Sequence, residues 1–218
     1  MTQRSPRNWQ LLTAMVAGGL LSLASLFWFD GQSSLLSLFA ALPGDARELL
    51  ENLAIFGHGT GVLLAFVLVL VLDRLDWRLT IQTILSPVIA GVLATVVKVS
   101  IQRPRPIALA LQKLKPDSFG DALLTNSYQS FPSGHTATAV ALALVLGCLY
   151  PRGRLFFYSL AAITAIERVM TRAHFPSDVL AGASIGILAF LISKRLASGR
   201  PHPELLANPV PIPACTFR

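Results

Sequence analysis

Ionisable residues stand at three places in an otherwise apolar sequence, each at one end of a long hydrophobic run. The three groups are Lys98 with Arg105 and Pro106, then Pro132-Ser133-Gly134-His135, and finally Arg168 with His174 and Asp178. Ionisable groups next to hydrocarbon are costly and usually serve a function. Two histidines, a carboxylate and several cations beside a Ser-Gly turn are the groups that phosphoryl chemistry uses. The sequence therefore predicts a phosphate site.

The first group supplies positive charge. Pro104 and Pro106 cannot continue a helix, so the helix that carries Lys98 ends and Arg105 curls back from its exit. Arg offers a planar fork to phosphate oxygens, and Lys offers a point charge. The alternative is that both side chains reach lipid head groups, as cations at helix ends commonly do.

The second group opens a helix, whose first turn carries unpaired N–H groups and a positive dipole end that bind anions. Gly134 lets a ligand approach the backbone closely. Ser133 either caps the helix or hydrogen-bonds a phosphate oxygen. An ordinary cap does not explain His135 at the mouth of the helix. We predict that Ser133 and Gly134 contact phosphate and that His135 transfers protons.

The third group joins two further helices. Arg168 lies in the last turn of one helix, His174 in the connection, and Asp178 in the first turn of the next, where a carboxylate suits the dipole. We predict that Asp178 accepts a hydrogen bond from one ring nitrogen of His174, which leaves the other nitrogen nucleophilic. The alternative is an ordinary N-terminal acidic residue beside a loop histidine. Arg172 is interpreted as a solvated loop cation.

Together the groups predict a mechanism in which His174 attacks phosphorus and forms a phosphohistidine. Asp178 stabilises its developing charge, and His135 protonates the leaving oxygen and then activates water. The equatorial oxygens are expected to be stabilised by Lys98, Arg105, Arg168 and the Ser133-Gly134 amides. No His, Cys and carboxylate cluster has metal-ligand spacing, and no metal or other cofactor is expected.

The elements that position these residues are predicted to be membrane helices. The chain has 218 residues, of which 53% are hydrophobic and 13% charged, whereas soluble domains carry about 25% charged residues. Crossing ~30 Å of hydrocarbon takes about 20 apolar residues. An all-α bundle of six spans is predicted at about Leu11–Phe29, Ile55–Leu72, Leu79–Ile101, Thr136–Tyr150, Leu155–Met170 and Val179–Leu196. The fourth span, at ~22 Å, is short, so the turn before it should lie recessed in the bundle.

The positive-inside rule then orients the bundle in the cell (inner) membrane, with both termini in the cytoplasm. Cations at Arg74, Arg78, Arg152 and Arg154 fall inside, and the acidic Asp30 falls in the first outside loop. This arrangement brings all three groups to the extracytoplasmic face. The net charge of +7 is explained by these topology signals, and no basic stripe interleaves with aromatics, so nucleic acid is not expected as a partner.

Residues 1–198 are predicted to form one membrane domain, followed by a proline-rich, disordered cytoplasmic tail at 199–218. The connection from Ile107 to Phe131 is expected to be a plain loop; the alternative is that Ile107–Leu111 lies along the membrane as a gate. His58, beside two glycines, is expected at the membrane interface; the alternative is that it reaches the site.

The groups resemble the three signatures of the type 2 phosphatidic acid phosphatase (PAP2) superfamily, which are K-x6-RP, PSGH and SR-x5-H-x3-D. The matching residues are Lys98 with Arg105-Pro106, Pro132-Ser133-Gly134-His135, and Arg168 with His174 and Asp178. The likeness covers about Gly57 to Leu196. It implies a six-span helical core, phosphohistidine chemistry without a metal, and phosphate esters or pyrophosphates as substrates.

The chain departs from the signatures at Glu167, which stands where the family has serine. A carboxylate there opposes a bound anion unless it pairs with Arg168 or points away, and we expect a modest effect on substrate use. Soluble vanadium haloperoxidases share the signatures, but six apolar spans argue against that branch.

Three functions remain open from the sequence. The first is a membrane phosphatase acting on a lipid phosphate or pyrophosphate: undecaprenyl pyrophosphate, phosphatidylglycerol phosphate, phosphatidic acid or a lipid A phosphate. The second is a phosphotransferase that uses the same residues but passes the phosphoryl group to a lipid A or sugar acceptor. The third is a non-catalytic anion-binding or transport protein, which is disfavoured because the charges stop at one face.

Overall fold

The computed structural model of the chain describes residues 6–28, 30, 42–72, 77–111 and 125–197. Every regular element in these ranges is helical. The α-helices are α1 Pro6–Trp28, α2 Gly44–Ala54, α3 Gly59–Leu72, α4 Trp77–Ile101, α5 Pro106–Ala110, α6 Gly134–Leu149, α7 Arg154–Met170 and α8 Pro176–Ala197. Short 3-10 helices cover Ile55–Gly57, Asn126–Tyr128 and Pro151–Gly153.

Helix α6 lies at the centre and packs against α4, α7 and α8. It is buried along most of its length, and its small residues let the neighbouring helices approach closely. The closest approach is that of α8, where a Cβ added at Gly182 would lie 2.4 Å from the Ser133 carbonyl oxygen. One turn later, a Cβ at Gly186 would lie 2.6 Å from the carbonyl oxygen of Ala137. Glycine at these two positions therefore sets the first turn of α6 directly against α8.

The remaining helices cover this centre from outside. Helix α1 packs on α8, α2 on α7 and α3 on α4. Their outer faces carry large apolar side chains, and Leu64 and Val71 are 69% and 66% exposed. A continuous apolar exterior of this kind is typical of helices that face lipid rather than water.

Two described segments, Thr80–Ala110 and Pro176–Ala197, are long and apolar enough to cross a membrane. Gly44–Gly57 and Gly59–Leu72, which meet at 65°, form a third if the bent pair is counted as one span. Trp9–Ser25 and Gly134–Leu149 are apolar but shorter. Helices occur at all six predicted positions.

Two local predictions are wrong. The second predicted helix, Ile55–Leu72, begins with a 3-10 turn and a break at His58, and α2 precedes it where a loop was expected. Helix α2 forms because Ala46, Leu50, Leu53 and Ala54 recur at helical spacing and meet α7.

The plain loop expected after Pro106 begins instead with helix α5, because proline is favoured in a first helical turn. Three predicted segments lie outside the described residues: the middle of that connection at 112–124, the segment at 73–76 whose Arg74 was assigned to the cytoplasmic side, and the tail at 199–218.

Candidate active site

The end of α4 turns the cations of the first group toward α6. Gln102 has a φ of 49°, a left-handed conformation that stops the helix, and its N–H donates to the Lys98 carbonyl at 2.9 Å. The chain then reverses, and the Arg105 N–H donates to the Ser127 carbonyl at 2.9 Å. The Lys98 Nζ lies 3.4 Å from the position that a Cβ on Gly134 would occupy. The Lys98 ammonium therefore sits against the first residue of α6.

Lys98 and Arg105 differ from the neighbouring Arg103 and Arg168 in their pairing. Arg103 and Arg168 each bind a carboxylate. Among the residues that the structure describes, neither Lys98 nor Arg105 has an acidic partner within ion-pair distance, and the Arg105 Nε is buried without an acceptor. Buried donors are normally satisfied, so this part of the site is suited to an anion.

The first turn of α6 is capped by Ser133, whose side chain accepts from the Thr136 N–H at 3.4 Å and from the Thr136 hydroxyl at 2.9 Å. The Ser133 N–H donates to the Asp178 carbonyl at 2.9 Å. The Ser133 amide thus already has an acceptor on α8, which packs closely here, and the contact of Ser133 with phosphate stays a prediction. The Gly134 amide, at the first helical position, has no acceptor within its own helix and stays suited to an anion.

His174 is oriented by a carbonyl group rather than by a carboxylate. Its Nδ1 lies 2.6 Å from the Ser130 carbonyl oxygen, and its backbone N–H donates to the Arg168 carbonyl at 3.0 Å. A carbonyl oxygen only accepts, so Nδ1 carries the proton and Nε2 keeps its lone pair. The predicted hydrogen bond from the His174 ring to Asp178 is instead a longer approach, with the carboxylate Oδ2 3.7 Å from Nδ1.

Asp178 is fully buried and is held by donors from three directions. Its Oδ2 accepts from the Ser130 hydroxyl and from the Phe175 N–H at 2.8 Å. Its Oδ1 accepts from the Arg103 Nη1 at 2.5 Å. Ser130 thus contacts both His174 and Asp178, and it joins the two predicted catalytic residues.

The environment of His174 favours its neutral form. Burial lowers the pKa of His174, and the charges of Arg105 and Lys98 lower it further, while Asp178 opposes them. A neutral imidazole with a free Nε2 is the form that can attack phosphorus.

The ring of His135 stacks on a second histidine, His58. The His58 ring stacks on the His135 ring, with centroids 4.2 Å apart and planes inclined at 30°. A Cβ at Gly57 would lie 2.5 Å from the His135 carbonyl oxygen, and the Gly57 carbonyl accepts from the Thr138 hydroxyl. Glycine at this position therefore lets the broken helix press against α6. The His58 ring therefore reaches the site, as the alternative to a purely interfacial place predicted.

Glu167, the departure from the signatures, pairs with the adjacent Arg168. Its carboxylate is fully buried and accepts from Nε and, at 2.6 Å, from Nη2 of that arginine. Glu167 therefore covers one edge of the guanidinium, and Nη1 remains for a ligand. The positive charge of Arg168 acts on both stacked histidines, His58 and His135.

The structure thus brings together residues from all three predicted groups around the start of α6. Three contributors were missed, namely Asp30, Arg103 and Ser130, and His58 was predicted to reach the site only as the less favoured alternative. The available signals were the glycines that flank His58 and the Arg-Pro repeat that contains Arg103. No three His, Cys, Asp or Glu side chains are grouped as a metal ion requires within the described part of the chain.

Comparison with known proteins gives a family for this arrangement. The sequence profile of the PAP2 superfamily matches residues 79–201. A protein of Rhizobium etli named lipid A 1-phosphatase is 29% identical over 158 residues, which cover 66% of this chain and 68% of the relative.

Two solved structures have a similar fold. The crystal structure of Aquifex aeolicus LpxE superposes with a TM-score of 0.58 at 25% identity, covering 77% of this chain and 98% of that one. The transmembrane PAP2-type phosphatidylglycerolphosphate phosphatase of Bacillus subtilis superposes with a TM-score of 0.61 at 22% identity, covering 84% and 94%.

Proposed function

The chain belongs to the PAP2 superfamily, and we propose that it hydrolyses the phosphate group of a membrane lipid through a phosphohistidine on His174. As its relatives' names indicate, it is a membrane phosphatase, a phosphoric ester hydrolase of this family. The proposal rests on the arrangement of two cations, Lys98 and Arg105, relative to His174. Lys98 is held against the first residue of α6, and the charges of Lys98 and Arg105, neither of which has an acidic partner among the described residues, act on a His174 whose Nε2 is unprotonated.

In the first step, the Nε2 lone pair of His174 forms a bond to phosphorus while the bond from phosphorus to the lipid oxygen breaks. His135 gives its proton to that oxygen, and the lipid leaves as an alcohol. In the second step, His135 takes a proton from water, the resulting hydroxide attacks phosphorus, and the phosphorus–nitrogen bond breaks. Free phosphate leaves, and both histidines return to their starting forms.

Charge on the transferring group is stabilised by the surrounding donors. Lys98, Arg105 and the Gly134 amide face the anion, and Arg168 contributes the part of its guanidinium that Glu167 does not cover. Such fixed donors lower the barrier because they need no reorganisation during the reaction. Asp178 stabilises the positive charge that develops on His174.

A lipid substrate is supported by an apolar groove of about 370 Å³ between α3 and α4. Its lining includes Gly59, the residue after His58, and Thr138 on α6. Its other lining residues are Val62, Leu63, Ile84, Pro87, Val88 and Gly91. A hydrocarbon chain in this groove would place its head group beside the stacked histidines.

Among lipid phosphates, we propose the 1-phosphate of a lipid A type molecule as the first candidate, because the Rhizobium etli relative carries that name. Undecaprenyl pyrophosphate, phosphatidylglycerol phosphate and phosphatidic acid are the other candidates. We further propose six membrane spans in one domain over 1–198, a cytoplasmic tail at 199–218, and a site on the extracytoplasmic face of the inner membrane.

The test is phosphate release from each of these lipids by the purified protein in detergent. Wild type is compared with His174→Ala, His135→Ala and the exposed control Ser159→Ala on α7. Release by wild type and the control, with none from the histidine variants, is expected. A radiolabelled phosphorus substrate should label wild type through an acid-labile, alkali-stable bond that His174→Ala lacks. Unchanged release from His174→Ala would refute the mechanism.

The same assay separates the alternative functions. Transfer of label to an added lipid A or sugar acceptor, rather than to water, would identify a phosphotransferase. Passage of labelled phosphate into proteoliposomes without hydrolysis would identify a transport protein.

A further inference from the structure

Asp30 was expected in an outside loop, but the structure buries its carboxylate at the end of α1, where its side chain is only 7% exposed. The Oδ2 atom accepts from the Arg103 Nη2 at 2.7 Å and from the Ser177 hydroxyl at 2.5 Å. The Oδ1 atom accepts from the Ser177 N–H at 3.2 Å. Asp30 therefore binds both an arginine of the site and the first turn of α8.

Arg103 connects Asp30 to the predicted catalytic carboxylate. Its Nη2 binds Asp30, while its Nη1 binds Asp178 at 2.5 Å and the Ser177 hydroxyl at 2.7 Å. The guanidinium carbon lies 4.1 Å from the centre of the Phe175 ring. A planar guanidinium can bind two carboxylates in fixed directions, whereas the single ammonium of lysine cannot reproduce this geometry.

The link to α1 is reinforced by a second contact, in which the Ser22 hydroxyl donates to the Ser177 carbonyl at 2.8 Å. Helix α1 also packs along α8. The Ser22 hydrogen bond and this packing both involve α1, which lies outside residues 79–201, the part matched by the family profile. The immediate surroundings of Asp178 are therefore completed by a segment that precedes the signature region.

We propose that Asp30 and Arg103 form a clamp that holds the Asp178 carboxylate in position beside His174. Both are positioning residues, because their side chains form hydrogen bonds with each other, with Ser177 and with Asp178. Arg103 is the one donor that the described residues supply to the Asp178 Oδ1, and Asp30 keeps the guanidinium from turning away. This inference rests on the proposed phosphatase function, in which Asp178 stabilises charge on His174.

The clamp also sets the charge near His174. The charged and titratable groups that act directly on this ring are Asp178 from α8, Arg105 before α5, Lys98 from α4 and His135 from α6, and the charges of Arg103 and Asp30 act from behind Asp178. Arg103→Gln removes the cation that offsets Asp178, so the pKa of His174 should rise. Asp30→Asn removes a negative charge from the far side of Arg103, so the pKa of His174 should fall. The two shifts in the pKa of His174 have opposite signs. A general loss of packing would shift this pKa in the same direction in both variants.

The kinetic experiment compares Asp30→Asn, Asp30→Glu, Arg103→Lys and the double variant Asp30→Asn with Arg103→Lys, all purified in detergent. The control is Asp45→Asn, which removes an exposed carboxylate in the first turn of α2. We expect Asp30→Asn to lower kcat about ten- to a hundredfold with little change in KM, the scale for a displaced reacting group. The double variant should be no slower than Arg103→Lys, since both changes open one clamp. Asp30→Glu should recover part of the rate.

The second measurement does not depend on catalysis. Histidine-labelled protein is titrated by NMR, and the His174 resonance is assigned with His174→Ala. Opposite pKa shifts in Arg103→Gln and Asp30→Asn, with none in Asp45→Asn, are expected. Unchanged titration in both variants would overturn the clamp, as would a kcat for Asp30→Asn equal to that of wild type. If wild type releases no phosphate from any lipid, the proposed function fails, while the titration still decides the clamp.

Discussion

Asp178→Asn tests how the carboxylate acts on His174. The substitution keeps the size of the side chain and removes its charge. Both carboxylate oxygens now accept hydrogen bonds, from Arg103, Ser130 and the Phe175 N–H. The amide N–H2 group of the asparagine can only donate, so it would face one or more of these donors. We expect a folded protein with a large loss of kcat and a small change in KM, since Asp178 acts when charge develops on His174.

The magnitude follows from the 3.7 Å between the carboxylate and the Nδ1 of His174. At an effective dielectric constant of about 20, unit charges at this distance attract by about 4.5 kcal/mol. If about half of the positive charge has developed on the ring in the transition state, the loss is about 40-fold in kcat. Full development gives about 2,000-fold. Removing one partner of a buried ion pair typically costs about 3–5 kcal/mol of stability, and the remaining contact of Arg103 with Asp30 should keep this cost near the lower end.

The assay measures kcat and KM for a lipid phosphate together with the melting temperature in detergent. Ser130→Ala is the matched control, because it removes one hydrogen bond to Asp178 but leaves the carboxylate charge and the Ser130 carbonyl in place. It should lose about tenfold or less. A kcat for Asp178→Asn within threefold of wild type, in protein that remains folded, would refute electrostatic stabilisation by Asp178.

Three further predictions follow from the packing around the site. Because burial lowers the pKa of His174 from its ordinary 6.5, the native state resists protonation, so the melting temperature should fall as pH drops below about 6.5 and should fall less steeply in His174→Ala. Gly182→Ala should lower stability by about 1–3 kcal/mol and reduce activity, because the new Cβ meets the Ser133 carbonyl. Gly19→Ala in α1, where nothing lies within 4 Å of a new Cβ, is the control, and thermal unfolding checks both. His58→Phe should retain most of the kcat that His58→Ala loses if stacking is the contribution of His58, and equal losses would contradict this.

The pairing with Arg168 explains how Glu167, which has no role in the phosphate chemistry, can lie beside the site. A carboxylate beside a phosphate site is tolerated here because two guanidinium N–H groups bind it. This pairing reduces the charge that Arg168 presents to substrate and leaves Lys98 and Arg105 as the cations without a carboxylate partner in the described structure. The signature pattern alone cannot show this, because it does not state where a side chain points.

The sequence by itself predicted a helix at each of the six proposed spans, although not α2 or α5, and it named the candidate reacting residues. Apolar runs of membrane length, broken by proline, mark helices because backbone groups in hydrocarbon must be satisfied within the segment. The spacing of Lys98, His135, His174 and their neighbours indicated phosphate chemistry, because few other reactions use two histidines among cations. These are local properties, and they can be recognised without knowing how the helices pack.

Only the tertiary structure decided which groups contact each other. Asp30, Arg103 and Ser177 come from separate parts of the chain and meet because α1 and α8 pack along each other. The close approach of α8 at Gly182 occupies the Ser133 amide, and a turn before α6 places the Ser130 carbonyl against His174. Such contacts depend on helix packing at distances of a few ångströms, which residue spacing along one chain does not specify.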